Sequence, residues 1–310
     1  MAIAIDFGGV IFASIYVDIA AGGKPQPEYI RHLVLNTIRH YNKRYRGKYG
    51  MMVLCMDKKS WRDEAFKYYK WDRRNNRDKD DNDWSEIFAI VEEIQNDLIE
   101  NFPYIVISCD GAEADDTIGF LARRTKEPMI IISNDKDFGA LLANPLVDQY
   151  RPMTKGNDLV ELDDPKRFEF DLIMSGDKSD GVPNVRCDDD FYVGQHEQRQ
   201  NDEKVTRAPS VTKKFKDACW DAKNVSEESL KELMGVEVYK NYKRNEKLVS
   251  LDLTPDYIID KIVASIRESK PAPIMKAMQY MVSKRMNLLA KELSDFEVNK
   301  NPRVQKTLFN

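Results

Sequence analysis

The sequence predicts an α/β protein: a mostly parallel central sheet flanked by helices, followed by a smaller all-helical C-terminal region, with the boundary at residues 175/176. Three observations predict it. Short apolar runs at 2–5, 51–56, 104–108 and 129–133 alternate with helix-like segments, the order of parallel strands joined by crossover helices. Each run ends in, or leads to, acid: Asp6, Asp57, Glu113, and Asp135 with Asp137. Beyond residue 209 every patterned segment has helical spacing.

The first strand, 2–6, runs into Phe7-Gly8-Gly9. That junction alone also fits actin-like kinases, where glycines approach phosphate. A helix over 28–43 follows, carrying Ile30, Leu33, Val34, Ile38 and Tyr41 at helical spacing. After strand 51–57 comes an unusual stretch in which Lys58, Lys59, Arg62, Lys67, Lys70, Arg73, Arg74 and Arg77 interleave with Trp61, Phe66, Tyr68, Tyr69 and Trp71. It reads either as an ordinary amphipathic helix with a solvated basic face or, because bases and aromatics share faces, as a surface for phosphate contact and base stacking. Asp83 and Glu86 form a capping box for a helix whose stripe is Ile87, Ile90, Val91, Ile94 and Leu98. Glu113 opens a helix to Arg124, on which Glu113 and Asp116 share a face and Asp115 points elsewhere. A short helix at 138–143, a strand at 147–151 and a helix from Pro165 to Met174 complete the α/β part. A Gly- and Pro-punctuated turn spans 176–185, and 194–206 is polar and reads as a flexible loop. Helices are then expected from Pro209, over 227–234, 236–251, 255–269 and 274–293.

Composition bounds the function. With 42% hydrophobic and 10% aromatic residues the chain can bury a proper core. No leader-like opening and no run near the ~20 apolar residues of a membrane helix occurs, so a soluble, unexported protein is expected. Cys55, Cys109, Cys187 and Cys219 are widely spaced, which favours reduced thiols over disulfides or a zinc site. The formal net charge is −4, yet once the candidate carboxylates are set aside Lys and Arg outnumber the remaining acids. A phosphate-binding surface is therefore compatible with the balance. His32, His40 and His196 fit no catalytic arrangement.

Ligand sites in parallel sheets lie at the strands' carboxyl ends, so the acids placed there converge. An aspartate after a strand is often only a cap or turn residue; the repetition at successive strand ends is what favours a site. Converged carboxylates raise one another's pKa unless countercharged. Oxygen-only donors select hard divalent ions such as magnesium or manganese, and a site wide enough for two is suited to in-line displacement at phosphorus.

The full set of motifs, Asp6, Asp57, the basic aromatic segment, Glu113-Ala-Asp115-Asp116, Asn-Asp135-Lys-Asp137 and Gly-Asp177-Lys-Ser-Asp180-Gly-Val-Pro-Asn-Val, resembles the flap endonuclease family of structure-specific 5′ nucleases and, within it, the phage ribonuclease H members. The resemblance covers nearly the whole chain. It implies a PIN-like nuclease core over 1–175 with a helical arch at 58–83, and a DNA-binding region over 176–310 opened by a helix-three-turn-helix element. It implies a two-Mg²⁺ enzyme, with Mn²⁺ able to substitute, that acts as a 5′ to 3′ exonuclease and flap endonuclease on RNA or DNA in duplex, removing replication primers. Asp6, Asp57, Glu113 and Asp115 would hold one ion, and Asp135, Asp137, Asp177 and Asp180 would surround the other, with Asp116 close by. Arg62 and Lys70 would grip the scissile phosphate, with Lys67, Arg73 and Arg74 beside them. Gly181, Val182 and Asn184 would hold duplex backbone. Here the sequence departs from the family's cellular members, since Arg186-Cys187-Asp188-Asp189-Asp190-Phe191 stands where they carry a Gly-rich hairpin; Arg207, Lys213 and Lys214 are the substitute phosphate contacts. Expected partners are duplex DNA or RNA–DNA with a 5′ single strand, a single-stranded-DNA-binding protein, and a sliding clamp, the last because Gln305, Leu308 and Phe309 fit a Gln-x-x-Leu-Phe pattern that otherwise reads as a frayed tail. A monomer in the cytoplasm, without membrane contact, is expected. The competing readings are a PIN-type ribonuclease and a catalytically inactive DNA-binding relative.

Overall fold

The computed structural model describes residues 1–77, 82–154 and 159–298. In chain order its elements are β1 (Ala2–Asp6), α1 (Phe7–Gly22), α2 (Pro27–Tyr49), β2 (Met51–Cys55), α3 (Arg62–Ala65), α4 (Trp71–Arg77), α5 (Trp84–Asn101), β3 (Ile105–Ile107), α6 (Ala114–Arg124), β4 (Met129–Ile132) and β5 (Val147–Tyr150). There follow α7 (Pro165–Ser175), α8 (Phe191–Gln200), α9 (Lys213–Val225), α10 (Glu227–Met234), α11 (Val236–Val249), α12 (Asp256–Glu268), α13 (Ile274–Ser283) and α14 (Asn287–Lys291). Single 3₁₀ turns cover Asp137–Ala143, Leu251–Leu253 and Leu293–Phe296. No described helix is long and apolar enough to cross a membrane.

Two compact units form: Met1–Lys59 with Asp83–Glu161 and Asp256–Asn310, and Ser60–Asn82 with Leu162–Pro255. This grouping runs differently from a linear boundary at 175/176. Most of the basic aromatic segment clusters with the helices after β5, and the last helices cluster with the sheet.

The first unit is built on a five-stranded parallel sheet in the order β3-β2-β1-β4-β5. Both faces are covered, so β1 and β2 are buried along their length and read as unbroken apolar runs rather than alternating ones. From the central β1 the neighbours lie in both directions along the sheet, Ala4 pairing with Val53 on β2 and Ile131 on β4. Such a strand marks the switch point at which sites form. Helix α2 sets Ile30, Val34, Ile38 and Tyr45 into the core, and α13 together with the turn at Leu293–Phe296 adds Met281 and Phe296. Arg31, 1% exposed, is accommodated because Asp97 accepts from its Nε at 2.9 Å and Glu93 pairs with it, while the Tyr280 hydroxyl donates to Asp97 at 2.6 Å.

Helix α1 begins directly at Phe7, where the sequence reading had only a strand running into glycines. Asp6 both ends β1 and caps α1, its Oδ1 accepting from the Gly9 amide at 3.2 Å.

In the second unit α7, α9, α10 and α11 enclose Phe170, Ile173, Met174, Cys219, Leu230 and Tyr242. The buried Asn245 amide donates to the carbonyls of Ile173 at 2.8 Å and Pro183 at 2.9 Å, fixing the turn after α7. The expectation that the aromatics after Asp57 form a stacking surface is corrected. Phe66 and Tyr69 pack with Val182 and Leu248, and Trp61 is 3% exposed. Large rings gain more from burial than from lying open to water, which takes three of the five aromatics in, with Arg62 among them, and leaves Lys67, Arg73 and Arg74 exposed. Three further differences are local. Residues 191–200, expected as part polar loop, form α8, and the helix expected from Pro209 starts at Lys213, where Thr212 caps it. The expected helix over 274–293 is interrupted after Ser283, with Arg285 at a positive φ of 58°. All four cysteines are free thiols and buried.

Candidate active site

The carboxylates of the first unit gather at the carboxyl ends of β1, β2 and β4 and at the start of α6. Asp115 lies deep enough that burial raises its pKa well above the usual carboxylate range, and the charges of Asp6, Asp135, Glu113 and Asp57 push it further in the same direction. Five of the acids singled out in the sequence thus share one electrostatic field. Asp6 is also raised, chiefly by burial and further by Asp135, against the lowering effect of its hydrogen bonds from Ser133 and Gly9.

Local structure explains which side of α6 faces the cluster. Glu113 is not in the helix but caps it, with an extended backbone at φ −87°, ψ 166°. Glu113 and Asp116 do come together, as the helical spacing predicts, but Asp115, expected to point elsewhere, is the one that feels the other acids. Asp116 is fully buried and turns back to accept from the Glu113 amide at 3.0 Å, closing a capping box, whereas Asp115 feels the cluster. Asp116 thereby fixes Glu113 at the start of α6.

The other acids are held by protein donors. Asp57 accepts from the Ala114 amide at 2.9 Å, so the end of β2 is tied to the start of α6. Asp135 accepts from the Asp137 amide at 2.9 Å, and Asp137 heads the 3₁₀ turn. Room between β1 and β2 is kept by Gly8: a Cβ there would stand 2.5 Å from Asp57 Oδ2 and 3.4 Å from Asp6 Oδ1. The donor set is all carboxylate oxygen, which fits a hard divalent cation. Among the described residues no three acidic, histidine or cysteine side chains stand in closed ligand geometry, since the carboxylates here are turned onto backbone amides and hydroxyls.

The second unit places its predicted residues differently from one another. Asp177 and Asp180 sit on a tight turn in which the Val182 amide donates to the Asp177 carbonyl at 2.8 Å and Ser179 bonds the Asp177 carboxylate. Asp180 is engaged by the Tyr69 hydroxyl at 2.9 Å, by Arg73 at 2.9 Å and by Lys70 at 3.8 Å, while the Lys70 amide donates to its carbonyl. Arg74 pairs with Asp63 at 2.8 Å. Arg62, expected at the scissile phosphate, is instead 2% exposed; its Nε donates to the Leu248 carbonyl at 2.8 Å and its guanidinium lies 4.7 Å from the Trp61 ring. Val182, expected to touch DNA, has its side chain in the core, and Gly181 approaches Tyr68 so closely that a Cβ would meet that carbonyl at 2.5 Å. Asn184 bonds the Pro209 carbonyl at 3.1 Å. Lys67, Arg207, Lys213 and Lys214 are exposed. Gln305, Leu308 and Phe309 lie outside the described residues.

Residues 5–169 match the family profile described as the 5′-3′ exonuclease N-terminal resolvase-like domain. The chain belongs to the 5′-3′ exonuclease family. It is a 5′ nuclease, a hydrolase of phosphodiester bonds. Residues 169–296 match the profile described as the C-terminal part of T4 RNase H. Among relatives of this exonuclease, the ribonuclease H of Enterobacteria phage T4 is 29% identical over 299 residues, covering 94% of each chain. A 5′-3′ exonuclease of Buchnera aphidicola is 31% identical over 163 residues, 49% of this chain and 53% of that protein. Among solved structures, the bacteriophage T5 flap endonuclease in a pseudo-enzyme–product complex with DNA and metal ions aligns with a TM-score of 0.55 at 17% identity, covering 94% of this chain and 99% of that one. The T5 protein co-crystallised with metal ions aligns with a TM-score of 0.53 at 16% identity, covering 95% and 98%. These structures share the fold of this exonuclease.

Sequence reasoning missed two residues that touch the acids, Ser133 and Gln149, and gave Tyr69 a stacking role where its hydroxyl bonds Asp180. Neither Ser133 nor Gln149 carries a motif signal of its own.

Proposed function

We propose that this nuclease is a magnesium-dependent 5′ to 3′ exonuclease and flap endonuclease that trims the 5′ end of RNA or DNA in duplex and removes replication primers. The observation that carries the reading is the shared field of Asp6, Asp57, Glu113, Asp115 and Asp135. Carboxylates that raise one another's pKa in this way are relieved by a bound cation.

Asp6, Asp57, Glu113, Asp115 and Asp135 would hold one Mg²⁺, and a second would have Asp177 and Asp180 among its ligands, with Mn²⁺ able to replace either. Bound there, the ions supply an activated water and neutralise charge on the phosphate being displaced. The chain's own residues do the rest. Asp137 and Asp116 hold the acidic loops, Lys70 carries positive charge toward the developing oxyanion once it leaves Asp180, and Lys67, Arg73 and Arg74 lie along the path of the 5′ strand. Residues 1–175, with the segment 58–83, provide catalysis; 176–310 grip duplex backbone through Arg207, Lys213 and Lys214. No base-reading element is required, so substrate is chosen by shape. A monomer in the cytoplasm, working with a single-stranded-DNA-binding protein and a sliding clamp reached through Gln305, Leu308 and Phe309, suits that task.

The test is cleavage of a 5′-labelled flap duplex in Mg²⁺ by the native chain and by Asp115→Asn, beside a covalently closed circle. Cleavage near the junction by the native chain alone, with the circle intact, is expected. Equal cleavage by both proteins overturns the metal assignment, and cutting of the circle overturns the 5′-end requirement.

A further inference from the structure

Ser133 directly follows β4, is 4% exposed, and has every polar group in use. Its amide donates to the Tyr150 carbonyl at 3.2 Å, extending the β4–β5 pairing by one residue. The hydroxyl donates to Asp6 Oδ2 at 2.9 Å and accepts from the Asp135 amide at 3.1 Å. One oxygen atom therefore ties the carboxylate at the end of β1 to the loop that carries Asp135 and Asp137. The loop is fixed from the other side as well. Gln149 on β5, fully buried, donates through Nε2 to the carbonyls of Ser133 at 3.3 Å and Asp135 at 2.6 Å, and Arg151 Nε donates to the Asn134 carbonyl at 3.0 Å.

The geometry points to Ser133 as a positioning residue for the nuclease reaction, with Gln149 as its support: the hydroxyl sets the separation and orientation of Asp6 and Asp135 without touching substrate. A hydroxyl is the group this place requires, because it must donate to a carboxylate and accept from an amide at once. Alanine would leave Asp6 with backbone amides alone as donors, those of Gly8 and Gly9, and would free the Asp135 loop to relax away from β1. Threonine keeps the hydroxyl, and its extra methyl is well tolerated at the end of a strand. Outer residues that orient ligating groups are worth about 10–100-fold in metal affinity or activity when removed. The proposal rests on the reading of the acidic cluster as the metal centre.

The experiment compares the native chain, Ser133→Ala and Ser133→Thr by electron paramagnetic resonance titration with Mn²⁺ in the absence of DNA, and by steady-state cleavage of a flap duplex. Thermal melting verifies that each is folded. Ser133→Ala should bind Mn²⁺ about 10–100-fold more weakly and lose kcat by a similar factor, with KM for DNA within about twofold of native. Ser133→Thr should recover most of both losses. Native Mn²⁺ affinity in Ser133→Ala overturns the proposal, as does a threonine variant no better than alanine. A native chain that binds no Mn²⁺ removes the metal centre and this proposal together, which distinguishes the two failures. If Ser133→Ala does not fold, Gln149→Met, which keeps the volume and loses the donor to the Asp135 carbonyl, should weaken Mn²⁺ binding in the same direction; unchanged binding there overturns the proposal.

Discussion

Replacing Arg62 by alanine separates two roles for a buried basic residue of the second unit. In the structure its side chain is inside the second unit, 2% exposed, with Nε 2.8 Å from the Leu248 carbonyl and the guanidinium over Trp61. A buried hydrogen bond from a charged donor contributes roughly 1.5–3 kcal/mol, and a desolvated contact of a guanidinium with an indole about 0.5–2 kcal/mol. Arg62→Ala should therefore destabilise the second unit by about 2–4 kcal/mol, less than the sum because the charge no longer needs burying. With a urea slope of roughly 2–3 kcal/mol/M, the midpoint falls by about 1 M. Tryptophan fluorescence reports this well, since Trp61, Trp71 and Trp220 belong to the second unit and only Trp84 to the first. Activity would fall too, through unfolding, and should largely return in a stabilising osmolyte. A variant that unfolds at the native urea concentration yet is inactive at saturating substrate would refute the reasoning and return Arg62 to the phosphate.

The remaining predictions concern charge and backbone. Asp115→Asn should abolish cleavage yet stabilise the metal-free protein by about 1 kcal/mol, roughly 2–4 °C in Tm. Because burial and neighbouring acids raise the native pKa of Asp115 above its unfolded value, native protein binds more protons, so the metal-free wild type should lose stability as pH rises from the ordinary carboxylate range through the raised value. The variant should show a shallower slope, and identical melting curves across that window would count against the shared field. Gly181→Ala meets both a positive φ of 73° and a Tyr68 carbonyl 2.5 Å from the new Cβ. It should cost about 1–3 kcal/mol, seen in the same fluorescence transition; native-like stability would mean that the turn at 176–182 rearranges freely.

Much of the first unit is legible in the sequence because burial on both faces leaves a plain trace. The runs 51–56 and 129–133 are apolar without alternation, and each hands over to an acid at the strand end. The Glu113 cap is legible as acid before a helical pattern, but its consequence is not, since whether Asp115 or Asp116 faces the cluster depends on the extended backbone at Glu113. Helix α1 escaped because Gly8 and Gly9 weaken its first turn by propensity, while the Asp6 cap and the need for space beside Asp57 outweigh them. Arg62 reads as a surface base until its long-range partner Leu248, 186 residues away, is known. Ser133 and Gln149 lack any local signal for the same reason: their roles exist only once β1, β4 and β5 are in register.

The first unit closes on itself late. Its core takes Tyr280, Met281 and Phe296 from the end of the described chain, and Asp295 is bound there by Arg39 at 2.9 Å and Lys43 at 3.1 Å on α2. During synthesis the five strands and all their acids are therefore made more than a hundred residues before the helices that seal them. Until then α2 and α5 present open apolar surface and Arg31 lacks the Tyr280 hydroxyl that steadies Asp97. The core of the first unit therefore stays incomplete until residues 274–296 have been made, after the whole of the second unit.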